Sequence, residues 1–78
     1  MDDDTAPALR EMVALADDFP GQLKPEFELG YWAGVKEGAE RWYVRFDGDI
    51  RDNEFTVVGH TAAAALRAAA REAQSRVR

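Results

Sequence analysis

Few residues in this chain carry bond-making chemistry. His60 is the only histidine, Ser75 is the only serine, and there is no cysteine. Nucleophilic catalysis needs a hydroxyl or thiol within hydrogen-bond reach of a base. His60 falls just before a predicted helix cap and Ser75 near the far end of that helix, about 20 Å away at ~1.5 Å of rise per residue. The two cannot meet within one chain, so His60 is read as a turn residue and no catalytic set is predicted. Asp47, Asp49, Asp52 and Glu54 raise the question of a cation loop. An EF-hand loop needs oxygen ligands at alternate positions and glycine at the sixth. Here Arg51 holds the fifth position and Asp52 the sixth, so the segment reads as a solvated acidic loop. No metal and no cofactor is expected, and disulfides and thiolate sites are excluded.

Recognition chemistry is better represented. Trp32 and Tyr43 alternate with apolar residues on two predicted strands, with Arg41, Arg45 and Glu28 on the same outward face. Tryptophan, tyrosine and arginine are the residues most enriched at binding hot spots, so these five form the candidate partner-binding site. The same ladder could serve self-association in a homodimer, or simply stiffen the sheet. Asp2, Asp3, Asp4, Glu11, Asp17 and Asp18 form a candidate acidic face, able to imitate a row of phosphates for a partner that handles nucleic acid. Arg67, Arg71 and Arg76, with Arg78, form a modest basic face on the last helix. That face is the candidate nucleic-acid contact, although arginine near a helix C-terminus is also ordinary dipole matching.

Five elements must position these residues. Residues 5–18 read as an amphipathic helix with Thr5 as N-cap, Pro7 in the first turn, and Leu9, Met12, Val13 and Ala16 as its buried stripe. Asp17, Asp18, Pro20 and Gly21 mark its stop. Residues 26–36 alternate apolar and polar side chains, as do residues 41–47, which predicts two half-buried strands. A hairpin closing on Lys36 and Arg41 pairs Val35 with Trp42, Ala33 with Val44 and Tyr31 with Phe46. Trp32 then lies opposite Arg45, and Gly34 opposite Tyr43. A slip of one residue would put the apolar faces on opposite sides. A short third strand spans residues 54–59. Thr61 caps a second helix over 62–76, whose stripe is Ala62, Ala65, Leu66, Ala69, Ala73 and Val77. An alanine stripe requires that helix to lie close to its sheet. The order is α-β-β-β-α, an α+β two-layer fold with a three-stranded antiparallel meander and two helices on one face.

Composition agrees with one small folded domain: 46% of residues are hydrophobic and 32% charged, globular proportions in a chain of 78. Net charge is −5, which opposes nonspecific binding to phosphate backbones. It is unevenly spread. Residues 1–40 hold ten acids against three bases, while residues 41–78 hold five acids against seven arginines. No apolar run approaches the roughly 20 residues that span a bilayer, and residues 1–4 are acidic where a secretory leader would be basic. The expectation is a cytoplasmic protein without membrane contact.

The element order resembles the double-stranded RNA-binding domain. That family grips phosphates through a lysine-rich start of its last helix, whereas Thr61-Ala62-Ala63-Ala64-Ala65 holds no base before Arg67. The stretch from Trp42 to Ala73, two strands and Gly59-His60-Thr61 leading into Ala65-Leu66 and Ala69, resembles the HicB-type antitoxin unit. The likeness implies a protein that neutralises a partner by covering it. Together these readings predict a small, acidic, non-catalytic protein-binding module. It would be an inhibitor or regulator of phage or mobile-element type, such as an anti-CRISPR or antitoxin-like protein. The alternative is a nucleic-acid-binding module that uses the Trp/Tyr/Arg sheet face or the C-terminal arginine helix.

Overall fold

The computed structural model describes residues 4–20, 24–34, 36–48 and 54–76. It contains helix α1 (Thr5–Asp18), strands β1 (Glu26–Tyr31), β2 (Trp42–Asp47) and β3 (Glu54–Gly59), and helix α2 (Ala62–Ser75). The strands form an antiparallel sheet in the order β1-β2-β3. This is the α+β arrangement expected. Asp2, Asp3, Val35, Asp49 to Asn53, Val77 and Arg78 lie outside the described residues, and with them part of the acidic face and of the acidic loop.

Period-two patterning decides which sheet face is dry. Val44 and Phe46 of β2 are fully buried, and Phe27, Leu29, Trp42, Phe55 and Val57 pack partly buried around them. Phe46 is the centre of this layer. Phe19, just past α1, meets its ring edge-on at 5.2 Å, and Phe55 stacks on it at 4.9 Å.

α2 covers the sheet through small side chains. Ala62, Ala63, Ala65, Leu66, Ala69, Ala70 and Ala73 are all buried. The stripe is wider than the one predicted, adding Ala63 and Ala70, because α1 packs along a second side of α2. The approach of α2 to the sheet is close: a Cβ on Gly59 would lie 2.7 Å from the Ala65 nitrogen. The Thr61 hydroxyl caps the helix, accepting from the Ala64 N–H at 3.0 Å.

α1 lies alongside α2. Arg67 reaches Asp4 at the start of α1 (3.5 Å), and Gln74 lines a groove with Leu15, Asp18 and Phe19 at its end. Two features of α1 differ from expectation. Asp4, not Thr5, is the N-cap: its carbonyl accepts the first helical bond from the Ala8 N–H at 3.1 Å, and its side chain caps nothing. The buried stripe is Ala8, Met12 and Ala16, while Leu9 and Val13 are exposed. Both stripes obey the helical period. The inward one is chosen by its neighbour, because small Ala8 and Ala16 let α1 nestle against an alanine-rich helix.

β1 ends at Tyr31, not at residue 36. Gly34 and Gly38 have φ of 79° and 87°, left-handed values that only glycine adopts without cost and that no strand contains. The hairpin opens accordingly into a broad connection. Its last ladder bond runs from the Trp32 N–H to the Arg41 carbonyl (2.8 Å), and the Ala39 N–H closes a turn on the Lys36 carbonyl (3.1 Å). The register therefore pairs Phe27 with Phe46, Leu29 with Val44 and Tyr31 with Trp42. The expected pairs Tyr31–Phe46, Ala33–Val44, Trp32–Arg45 and Gly34–Tyr43 do not form. Each β1 residue meets a β2 residue four positions earlier in the chain than predicted for it. An even shift leaves the faces unchanged. It also leaves Tyr31 and Ala33 exposed instead of under the helices.

Candidate functional site

The uncovered face of the sheet is built from the alternate residues: Glu26, Glu28, Gly30 and then Trp32 from the β1 side, Tyr43, Arg45 and Asp47 from β2, and Glu54, Thr56 and Val58 from β3. The register arranges them in cross-strand rows of different character.

At the hairpin end, Tyr43 lies across Gly30. A Cβ on Gly30 would sit 2.1 Å from Cζ of the Tyr43 ring, so the missing side chain is what lets the ring lie flat over β1. There it stacks on Trp32, with ring centroids 4.6 Å apart and planes 21° from parallel. Trp32 remains 43% exposed, and Val58, cross-strand partner of Tyr43, is also exposed. The result is an aromatic step held by two neighbouring strands and open to water. On the opposite face of the same end, Tyr31 leans on Trp42 at 4.7 Å, and Arg41 donates to the Tyr31 hydroxyl at 3.3 Å. Arg41, across the ladder from Trp32, thus turns its guanidinium to the Tyr31 hydroxyl.

The middle row holds an ion pair, Arg45 with Glu28, directly across the β1–β2 ladder. Both side chains are exposed, so the pair contributes little to stability. It does fix the Arg45 guanidinium against β1 instead of under Trp32. The far row is acidic: Glu26 opposes Asp47, and Asp47 opposes Glu54. Like charges directly opposite one another in a sheet are unfavourable. Among the described residues none of the three carboxylates makes an ion pair. An open groove of about 510 Å³ runs over this end, lined by Glu26, Glu28, Arg45, Asp47, Glu54 and Thr56.

Of the predicted partner-binding residues, the fold brings Trp32 onto Tyr43, Arg45 onto Glu28 and Arg41 onto the Tyr31 hydroxyl. The predicted acidic face divides. Asp4 is turned toward Arg67, while Glu11 and Asp18 flank the groove between the helix ends and Asp17 is exposed. On α2, Arg67 meets Asp4, Arg76 pairs with Glu72 at 2.9 Å and lies 4.9 Å over the Phe55 ring, and Arg71 is exposed. His60 is exposed ahead of α2, and Ser75 donates to the Glu72 carbonyl near the helix's other end. Among the described residues no group of His, Asp and Glu could hold a metal ion, and no helix is long and apolar enough to cross a membrane.

Sequence reasoning missed the Glu26/Asp47/Glu54 row and the role of Gly30. The row depends on register, which alternation leaves open by multiples of two. Gly30 carried a signal of its own: a glycine inside an otherwise bulky strand marks a place where something large must lie close.

Comparison with protein families, with curated proteins and with solved structures gives no match.

Proposed function

We propose that this domain is a non-catalytic protein-binding module that inhibits or regulates a partner by covering its working surface, in the manner of an anti-CRISPR or antitoxin-like protein. The observation that carries this reading is the Trp32–Tyr43 stack. Two large aromatic rings are held face to face on neighbouring strands, and Trp32 stays exposed with no helix of the described residues over it. Exposed aromatic surface of this kind is characteristic of interaction sites. A pre-ordered stack loses little side-chain freedom when a partner covers it. The charge of the surrounding strands favours a protein over a nucleic acid: among the described residues of β1, β2 and β3 on this face, Glu26, Glu28, Asp47 and Glu54 stand with Arg45, itself paired to Glu28.

The test is affinity capture from cells that carry the gene, with the native domain and with a Trp32→Ala/Tyr43→Ala double variant as baits. The variant should fold, because neither ring lies in the buried core, and should lose the proteins that the native domain retains. An identical set on both baits would refute the assignment.

A further inference from the structure

The outer sheet face has an order that the occlusion reading does not use. An aromatic step stands at one end and an acidic groove at the other, with the Glu28–Arg45 pair between them. We propose that this face is a dock for an arginine-bearing extended segment of a partner protein, one guanidinium resting on Trp32 and others lying among Glu26, Asp47 and Glu54. The proposal rests on the reading above and names the chemistry of the partner.

Three observations point the same way. First, the register places Glu26, Asp47 and Glu54 side by side across all three strands, with no cation of the described chain between them. Each pairing opposes the fold, and positive charge brought from outside lowers the mutual repulsion. Second, Tyr43 occupies one face of the Trp32 indole while the residue as a whole stays 43% exposed. An electron-rich ring in water attracts a cation over its face, and the planar guanidinium does this better than a compact ammonium. Third, the Glu28–Arg45 pair shows the geometry already working once on this surface: a guanidinium lies across the ladder on a carboxylate. A segment running along β1 from Trp32 to Glu26 would cover about 20 Å, the length of a six-residue strand. Its alternate side chains would face the sheet.

Phosphate-bearing ligands meet the opposite field here. Their repulsion by three adjacent carboxylates sets a single-stranded nucleic acid against this face, although its bases could stack on the same step.

The experiment is a fluorescence-anisotropy titration of the full chain with a labelled peptide of about eight residues that alternates arginine and threonine. A glutamate–threonine peptide and a labelled oligo-dT serve as comparison probes. The variants are Glu26→Gln/Asp47→Asn/Glu54→Gln together, and Trp32→Ala. The arginine peptide should bind, and weaken as salt is raised from about 50 to 500 mM. The triple variant should melt no lower than the native domain, since repulsion is removed, yet bind the peptide about tenfold more weakly or worse. Trp32→Ala should weaken it about threefold or more. Absence of arginine-peptide binding, unchanged affinity in the triple variant, or oligo-dT binding as tight as the peptide would each overturn the proposal. The two readings fail separately. If the triple variant still captures the natural partner while the aromatic double variant does not, occlusion stands and the basic segment falls. If the carboxylates hold the peptide but the double variant captures everything the native domain does, the occlusion reading falls and the dock on that partner falls with it, leaving peptide binding alone.

Discussion

Replacing Gly30 by alanine isolates the aromatic step from the rest of the fold. The added Cβ would lie 2.1 Å from Tyr43 Cζ and 2.3 Å from its hydroxyl oxygen, well inside van der Waals contact. The obstacle is the far end of a side chain on an exposed face, so the ring rotates away and the backbone stays. Two contributions to stability then oppose each other. Alanine has fewer unfolded conformations than glycine, which favours the variant by about 0.4–1 kcal/mol. Loss of the Trp32–Tyr43 stack costs about 0.5–1.5 kcal/mol. The net change is within about 1 kcal/mol, which in a domain of this size is a melting shift of no more than roughly 4–8 °C. The assay has two parts. Thermal melts followed by far-ultraviolet circular dichroism should show near-native stability. In NMR spectra the two tryptophans separate: the indole resonance of Trp32 should move as Tyr43 leaves it, while that of Trp42, tilted against Tyr31 on the other face, should not. Gly30→Ala should also weaken partner capture to the extent that Trp32→Ala/Tyr43→Ala does. A variant that unfolds, or one in which Trp32 keeps its native chemical shift, would refute the claim that Gly30 exists to seat Tyr43.

Phe46→Ala should cost about 3–5 kcal/mol, since the ring is fully buried between Phe19 and Phe55 and the surrounding layer relaxes only partly. In a domain this small that is a large share of total stability, so denaturant melts should show it mostly unfolded near room temperature. Thr61→Ala leaves the Ala64 N–H without its cap and should cost about 1 kcal/mol, read as a lower melting temperature with the partner site intact.

Periodicity alone determined that this chain folds as α-β-β-β-α, that α1 spans 5–18 and β3 spans 54–59, and that Trp32, Tyr43 and Arg45 lie away from the helices. Those features are local: a helical period of 3.6, a strand period of two, and a hydroxyl at a helix start act on neighbouring residues whatever the rest of the chain does. Tertiary structure decided the remainder. Whether Leu9 and Val13 or Ala8 turns inward on α1 beside Met12 and Ala16 depends on the closeness of a second helix, not on the helix's own pattern. The hairpin register depends on left-handed Gly34 and Gly38, which shortened β1. The resulting shift of four positions put Glu28 beside Arg45 and lined Glu26, Asp47 and Glu54 in one row. Alternation specifies only the parity of a strand pair; which side chains become neighbours is set by where the turn closes.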